Sequence, residues 1–131
     1  PQKGRSSSAG WGLTVGLLMI YLGLLLSEVF VLKQVGMLHL LYIGGIGICL
    51  MIVSVRVICG HSGNRHACIG KQRWITVLVA IGVFTASTRA VADWFPHIRV
   101  SHHIYAAILW VGFIGFWGWR VRRFLFQEEE E

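Results

Sequence analysis

Four windows of about twenty apolar residues take up most of this 131-residue chain. They cover about residues 11–32, 35–59, 74–95 and 101–122. A membrane-crossing helix needs about 20 such residues. In lipid, only helices and closed barrels satisfy every backbone group. No window shows the period-two alternation of a barrel strand, so the expected fold is all-α. It is an integral membrane protein with four antiparallel transmembrane helices in residues 11–126, a flexible lead over 1–10 and an acidic tail over 127–131. Only 14% of the residues are charged, against about 25% in soluble domains. A soluble enzyme, a disordered chain and a disulfide-stapled secreted module are all excluded.

The charges that remain sit at the ends of the apolar runs. Lys3, Arg5, Arg56, Arg65, Lys71, Arg73, Arg120, Arg122 and Arg123 fall on one side, and only Lys33, Arg89 and Arg99 on the other. Basic residues flanking membrane spans accumulate on the cytoplasmic side, so both termini and the 60–73 loop are expected there. The chain is basic overall, +6 at neutral pH. With no basic patch on a soluble face, nucleic acid is not the expected partner; the lipid bilayer is. Cys49, Cys59 and Cys68 are an odd set and make no disulfide framework. Cys59, His61, His66 and Cys68 form a C-x-H-x4-H-x-C set that matches no established zinc spacing, and no metal is expected there. Glu28 and Lys33 are expected to pair at the outer end.

Glycines carry the packing signal. Gly12, Gly16 and Gly23 line the first span, Gly44, Gly45 and Gly47 crowd the second, and Gly112, Gly115 and Gly118 mark the fourth. Small residues let membrane helices approach closely. They serve contacts within the chain, contacts with further transmembrane helices or subunits, or a flat cofactor.

The stretch His39 to Gly63 reads HLLYIGGIGICLMIVSVRVICGHSG. With His39, Gly44, Gly47, Arg56 and the Gly60-His61-Ser62-Gly63 turn at fixed spacing, it resembles the signature of the NnrS family. These are haem- and copper-containing inner-membrane proteins linked to nitric oxide metabolism and nitrosative-stress resistance. The resemblance extends loosely over residues 35 to 120 and looks like the C-terminal third of a larger polytopic fold. It implies haem, with copper as a second cofactor. The rival readings are a non-catalytic scaffold subunit of a membrane complex and a b-type cytochrome. Whether the chain is an enzyme is left open.

On one helix His39 and His61 lie about 33 Å apart at 1.5 Å per residue, so they cannot share a metal. His39, His102 and His103 are the histidines able to converge at the outer end. His39 is either a haem or copper ligand or a helix–helix hydrogen-bonding residue. His102 and His103 point about 100° apart, so only one of them faces a given site, and His103 pairs with His39 as the candidate metal-ligand set. Arg89 either meets a haem propionate or pairs with Asp93 four residues on. The glycines after His39 are expected to leave a groove beside its ring. No nucleophile with a base, no phosphate-cradling loop and no paired buried carboxylates can be assembled.

Overall fold

A computed structural model describes residues 7–63 and 70–126. Helix α1 spans Ser8–Val29, and the side chain of Ser7 caps it by accepting from the Gly10 N–H at 3.0 Å. A 3-10 turn, Val31–Lys33, leads into α2, Gln34–His39. From there the chain widens into a π-helical segment, Leu40–Gly47, and returns to α-helix in α3, Ile48–His61. Helix α4 spans Arg73–Ala92; a second 3-10 turn, Pro96–Ile98, precedes α5, Arg99–Leu125. No strand occurs among the described residues, and four helical stretches are long and apolar enough to cross a membrane: Ser8–Val29, Val31–His61, Arg73–Ala92 and Pro96–Leu125.

The helices hold their polar groups internally, as lipid demands. Thr85 donates back to the Ile81 carbonyl at 2.7 Å, Thr88 to Phe84 at 2.9 Å and Ser27 to Leu24 at 2.8 Å. At the end where α1 starts and α5 finishes, called the basic end below, α1 is tied to the approach to α4. The Ser8 N–H donates to the Gly70 carbonyl at 3.0 Å, and the Gln72 N–H to the Ser8 hydroxyl at 2.8 Å.

Helix pairing runs through glycine. A Cβ on Gly45 would lie 2.3 Å from Ile20 Cγ1 and 2.9 Å from the Ile20 backbone nitrogen, and one on Gly23 only 2.6 Å from the Leu41 nitrogen. Helix α1 and the π segment therefore touch backbone to backbone. Helix α4 sits at the centre, its span 44% buried, with Gly82 receiving the Ile48 side chain. One apolar cluster gathers Ile48, Ile52, Val55, Leu78, Val79 and Phe113 near the middle and the basic end; a second gathers Met19, Met37, Leu40, Ala86 and Ala90 toward the opposite end. The span of α5 is only 17% buried, and Gly112, Gly115 and Gly118 face open space.

Candidate functional site

At the opposite end, three pieces of chain converge: the turn into α2, the last turn of α4 and the first turn of α5. Arg89 and Asp93 stand one helical turn apart on α4, which puts them on one face. Their Nη1 and Oδ1 atoms are 3.6 Å apart, with side chains 17% and 18% exposed. That separation is an ion pair but too long for a hydrogen bond; Arg89 Nη1 is buried and has no hydrogen-bond partner. Lys33 donates from Nζ to the backbone carbonyl of Asp93 and sits 5.8 Å from the centroid of the Trp94 ring, which meets Phe30 edge-on at 5.1 Å. Gly36 makes room for the carboxylate: a Cβ there would lie 2.5 Å from Asp93 Oδ2 and 3.2 Å from the Ala90 carbonyl.

These residues frame a cleft of about 410 Å³, within the range of small-ligand sites. Val31, Leu32 and Val35 form an apolar wall; Lys33, Arg89, Arg99, Asp93 and His103 supply the polar side. Three permanent cations face one carboxylate. A surplus of cations at a membrane boundary, beside an apolar wall, suits an amphipathic ligand that carries negative charge. The Nε2 atom of His103 is buried without a hydrogen-bond partner. Buried polar atoms are normally satisfied, so this nitrogen is available to a ligand.

His39, last residue of α2, is half-buried and does not line the cleft. Its Nδ1 lies 2.6 Å from the Val35 carbonyl. A carbonyl only accepts, so Nδ1 carries a proton, and in the neutral ring Nε2 then has the lone pair. This is the arrangement in which a backbone acceptor orients a metal-binding imidazole. His39 is near enough to act electrostatically on the His103 ring, as are Arg89, Asp93 and Arg99. His102 does not line the cleft; its ring meets Tyr105 edge-on at 6.4 Å, and its Nδ1 is buried without a partner. His61 is exposed at the basic end.

Three expectations need correction. The groove beside His39 is filled: a Cβ on Gly44 would meet Met19 Cε at 2.5 Å and Ala86 at 3.1 Å, and one on Gly47 would meet Trp110 at 2.9 Å. Those glycines serve packing within the chain. Lys33 turns to the Asp93 carbonyl and Trp94, not to Glu28. Cys59 is disulfide-bonded, so it is no thiolate donor and the cysteines are not all free. His66 and Cys68 of the cysteine–histidine set lie outside the described residues. Among the described residues no group of three or more His, Cys, Asp or Glu could hold a metal ion.

Arg99 lines the site and Gly36 shapes it, and sequence reasoning assigned neither to it; Lys33 it assigned to Glu28 instead. The signal for Lys33 and Arg99 was their count: with Arg89 they are all the Lys and Arg of that end, set against two acids, Glu28 and Asp93.

A family model described as NnrS protein matches residues 1–128. No curated protein and no solved structure matches the chain.

Proposed function

Because the chain belongs to the NnrS family, a group of membrane proteins linked to nitric oxide, we propose that the cleft at the Arg89–Asp93 end holds a haem. The observation that carries this reading is the buried, unpartnered Nε2 of His103 in a cleft with three cations and one carboxylate. The donor chemistry fits. Neutral imidazole is a common ligand of haem iron; His103, in the cleft, would hold it, and His39, outside the lining, would serve only as a second ligand. Arg89, Arg99 and Lys33 would meet the propionates, Asp93 pairs with Arg89, and Val31, Leu32 and Val35 would give the ring an apolar edge. When bound, the haem would supply an iron able to take up nitric oxide. Copper fits less well. Two imidazoles leave a copper ion short of donors among the described residues, so a copper site here would borrow ligands from elsewhere.

The test is the visible spectrum of the purified, haem-reconstituted protein. Wild type should show a Soret band that shifts with dithionite and again with nitric oxide. His103→Ala and His39→Ala should each lose or displace that band, and His61→Ala should leave it unchanged. Wild-type spectra in both His103→Ala and His39→Ala would sink the assignment.

The open glycine face of α5 favours a second component, close packing of that helix against further transmembrane helices or subunits, as in a scaffold. For orientation we propose that the basic end faces the cytoplasm, following the nine-to-three split of Lys and Arg. The disulfide at Cys59 pulls the other way, because cytoplasmic thiols are kept reduced.

A further inference from the structure

The basic end holds a second cluster that the haem reading does not use. A hollow of about 480 Å³ opens between the start of α4 and the last turns of α5. Lys71, Arg73 and Arg120 supply its charge; Trp74, Phe116 and Trp119 supply its aromatic walls. The Arg120 guanidinium lies between two indoles, 5.2 Å from the Trp74 centroid and 5.7 Å from that of Trp119. Cation–π contacts of this kind are attractive, yet they leave donors unused, and Arg120 Nε is buried with no hydrogen-bond partner. The acids Glu28 and Asp93 sit at the opposite end, so no described carboxylate answers this charge. Lys71 and Arg73 also line a neighbouring hollow with Trp11 and Ser7. The same two cations are thus flanked by indoles on both sides.

Position in the bilayer narrows the ligand. Helix α5 has 27 residues, or about 40 Å at 1.5 Å per residue, against a hydrocarbon core of about 30 Å. The excess places Arg120 at the headgroup level, where Trp residues also collect. A guanidinium flanked by two rings, with an Nε left unsatisfied, has donors in a fork geometry that suits a phosphate. Basic pockets between membrane helices recognise anionic headgroups by these means. The geometry points to a binding site for the phosphodiester of an anionic phospholipid, with Arg120 as its central contact, Lys71 and Arg73 as flanking cations, and the lipid tails running down the exposed face of α5.

The experiment uses the whole chain in detergent, with dioleoylphosphatidylglycerol or dioleoylphosphatidylcholine added and lipid retention read by native mass spectrometry. Quenching of tryptophan fluorescence by brominated phosphatidylglycerol gives a second readout. The glycerol lipid should be retained in clear preference to the choline lipid. Arg120→Gln and, separately, Lys71→Gln should each cut that preference about fivefold, the effect of one cation near a charged surface at about 1 kcal/mol. Lys71 precedes α4 and is exposed, so its variant reports on binding even if Arg120→Gln were to disturb folding. Arg122→Gln, an exposed residue of the same end that lines neither hollow, should keep the preference. Equal retention of the two lipids by wild type would overturn the proposal. So would an Arg122 variant that loses as much as Arg120→Gln, which would mean diffuse charge. Displacement of the lipid by millimolar inorganic phosphate would reassign the site to a free anion.

Discussion

Replacing Gly45 and Gly112 by alanine, one at a time, should give opposite results from the same chemical change. In both places alanine removes backbone freedom that glycine loses on folding, a gain of up to about 1 kcal/mol in a helix interior. At Gly112 nothing lies within 4 Å of the new Cβ, so that gain, or a change near zero, is all that remains. At Gly45 the Cβ would sit 2.3 Å from Ile20 Cγ1, 2.9 Å from the Ile20 nitrogen and 3.1 Å from its Cα. The side-chain clash can be relieved by rotation. The backbone clash cannot, so α1 and the π segment must separate by several tenths of an ångström. Overpacking of this kind costs about 1–3 kcal/mol. Separation also loosens the neighbouring Gly23–Leu41 and Gly16–Cys49 contacts, at 2.6 and 2.5 Å from the corresponding Cβ positions. The cost should therefore lie at the upper end and exceed the alanine gain, leaving Gly45→Ala about 1–2 kcal/mol less stable. At about 4 °C per kcal/mol for a chain of this size, the melting temperature in detergent should fall by about 4–8 °C, while Gly112→Ala stays at or above wild type. A Gly45→Ala protein as stable as wild type would refute the backbone-contact pairing of α1 with the π segment. A Gly112→Ala protein as damaged as Gly45→Ala would show that the α5 face is not open.

Gly36→Ala should push the Asp93 carboxylate, 2.5 Å from the new Cβ, off Arg89; we expect weaker haem retention with a melting temperature within a few degrees of wild type, read by Soret absorbance and by unfolding. Arg89→Gln should lower haem retention more than Arg56→Gln, since Arg56 is exposed and lies in α3, apart from the cleft, and equal effects would count against propionate binding. Reporter fusions after Phe126 and within residues 60–73 should both read cytoplasmic, and an outer-side reading at both would overturn the orientation.

The four spans were legible because apolar length is all a membrane demands of a helix. The Arg89–Asp93 pair was legible for a similar reason: four residues on a regular helix is a fixed direction in space. Legibility failed where the helix stopped being regular. Face counting after His39 assumes 100° per residue, but Leu40–Gly47 forms wider, i→i+5 turns, and the expected groove at Gly44 is occupied by Met19 and Ala86. The same limit explains Lys33. Its partner depends on where the chain turns between α1 and α2, and the 3-10 turn carries it across to the end of α4, away from Glu28. Glycine announced close approach but not the partner. Gly44 and Gly45 meet α1, Gly82 meets α3, and Gly112 meets nothing, a difference no single sequence encodes.

The π segment also explains how the candidate site gets its shape. Widened turns bring no side chain of their own to the cleft, but they begin one residue after His39 and so mark the end of α2's regular register. The short α2 is thereby held between two irregular pieces, the Val31–Lys33 turn before it and the π turns after it. Within those six residues the structure places Gly36, which shapes the space for Asp93, and His39, whose Nδ1–H is fixed on the Val35 carbonyl. Both positions depend on α2 keeping one orientation against the end of α4. The glycine contacts between α1 and the π segment fix that orientation from one side, and the Lys33–Asp93 bond fixes it from the other. The site's polar groups are thus set by packing that lies outside the cleft. The π turns lie next to the candidate site here, as π turns in other helices often lie at functional positions.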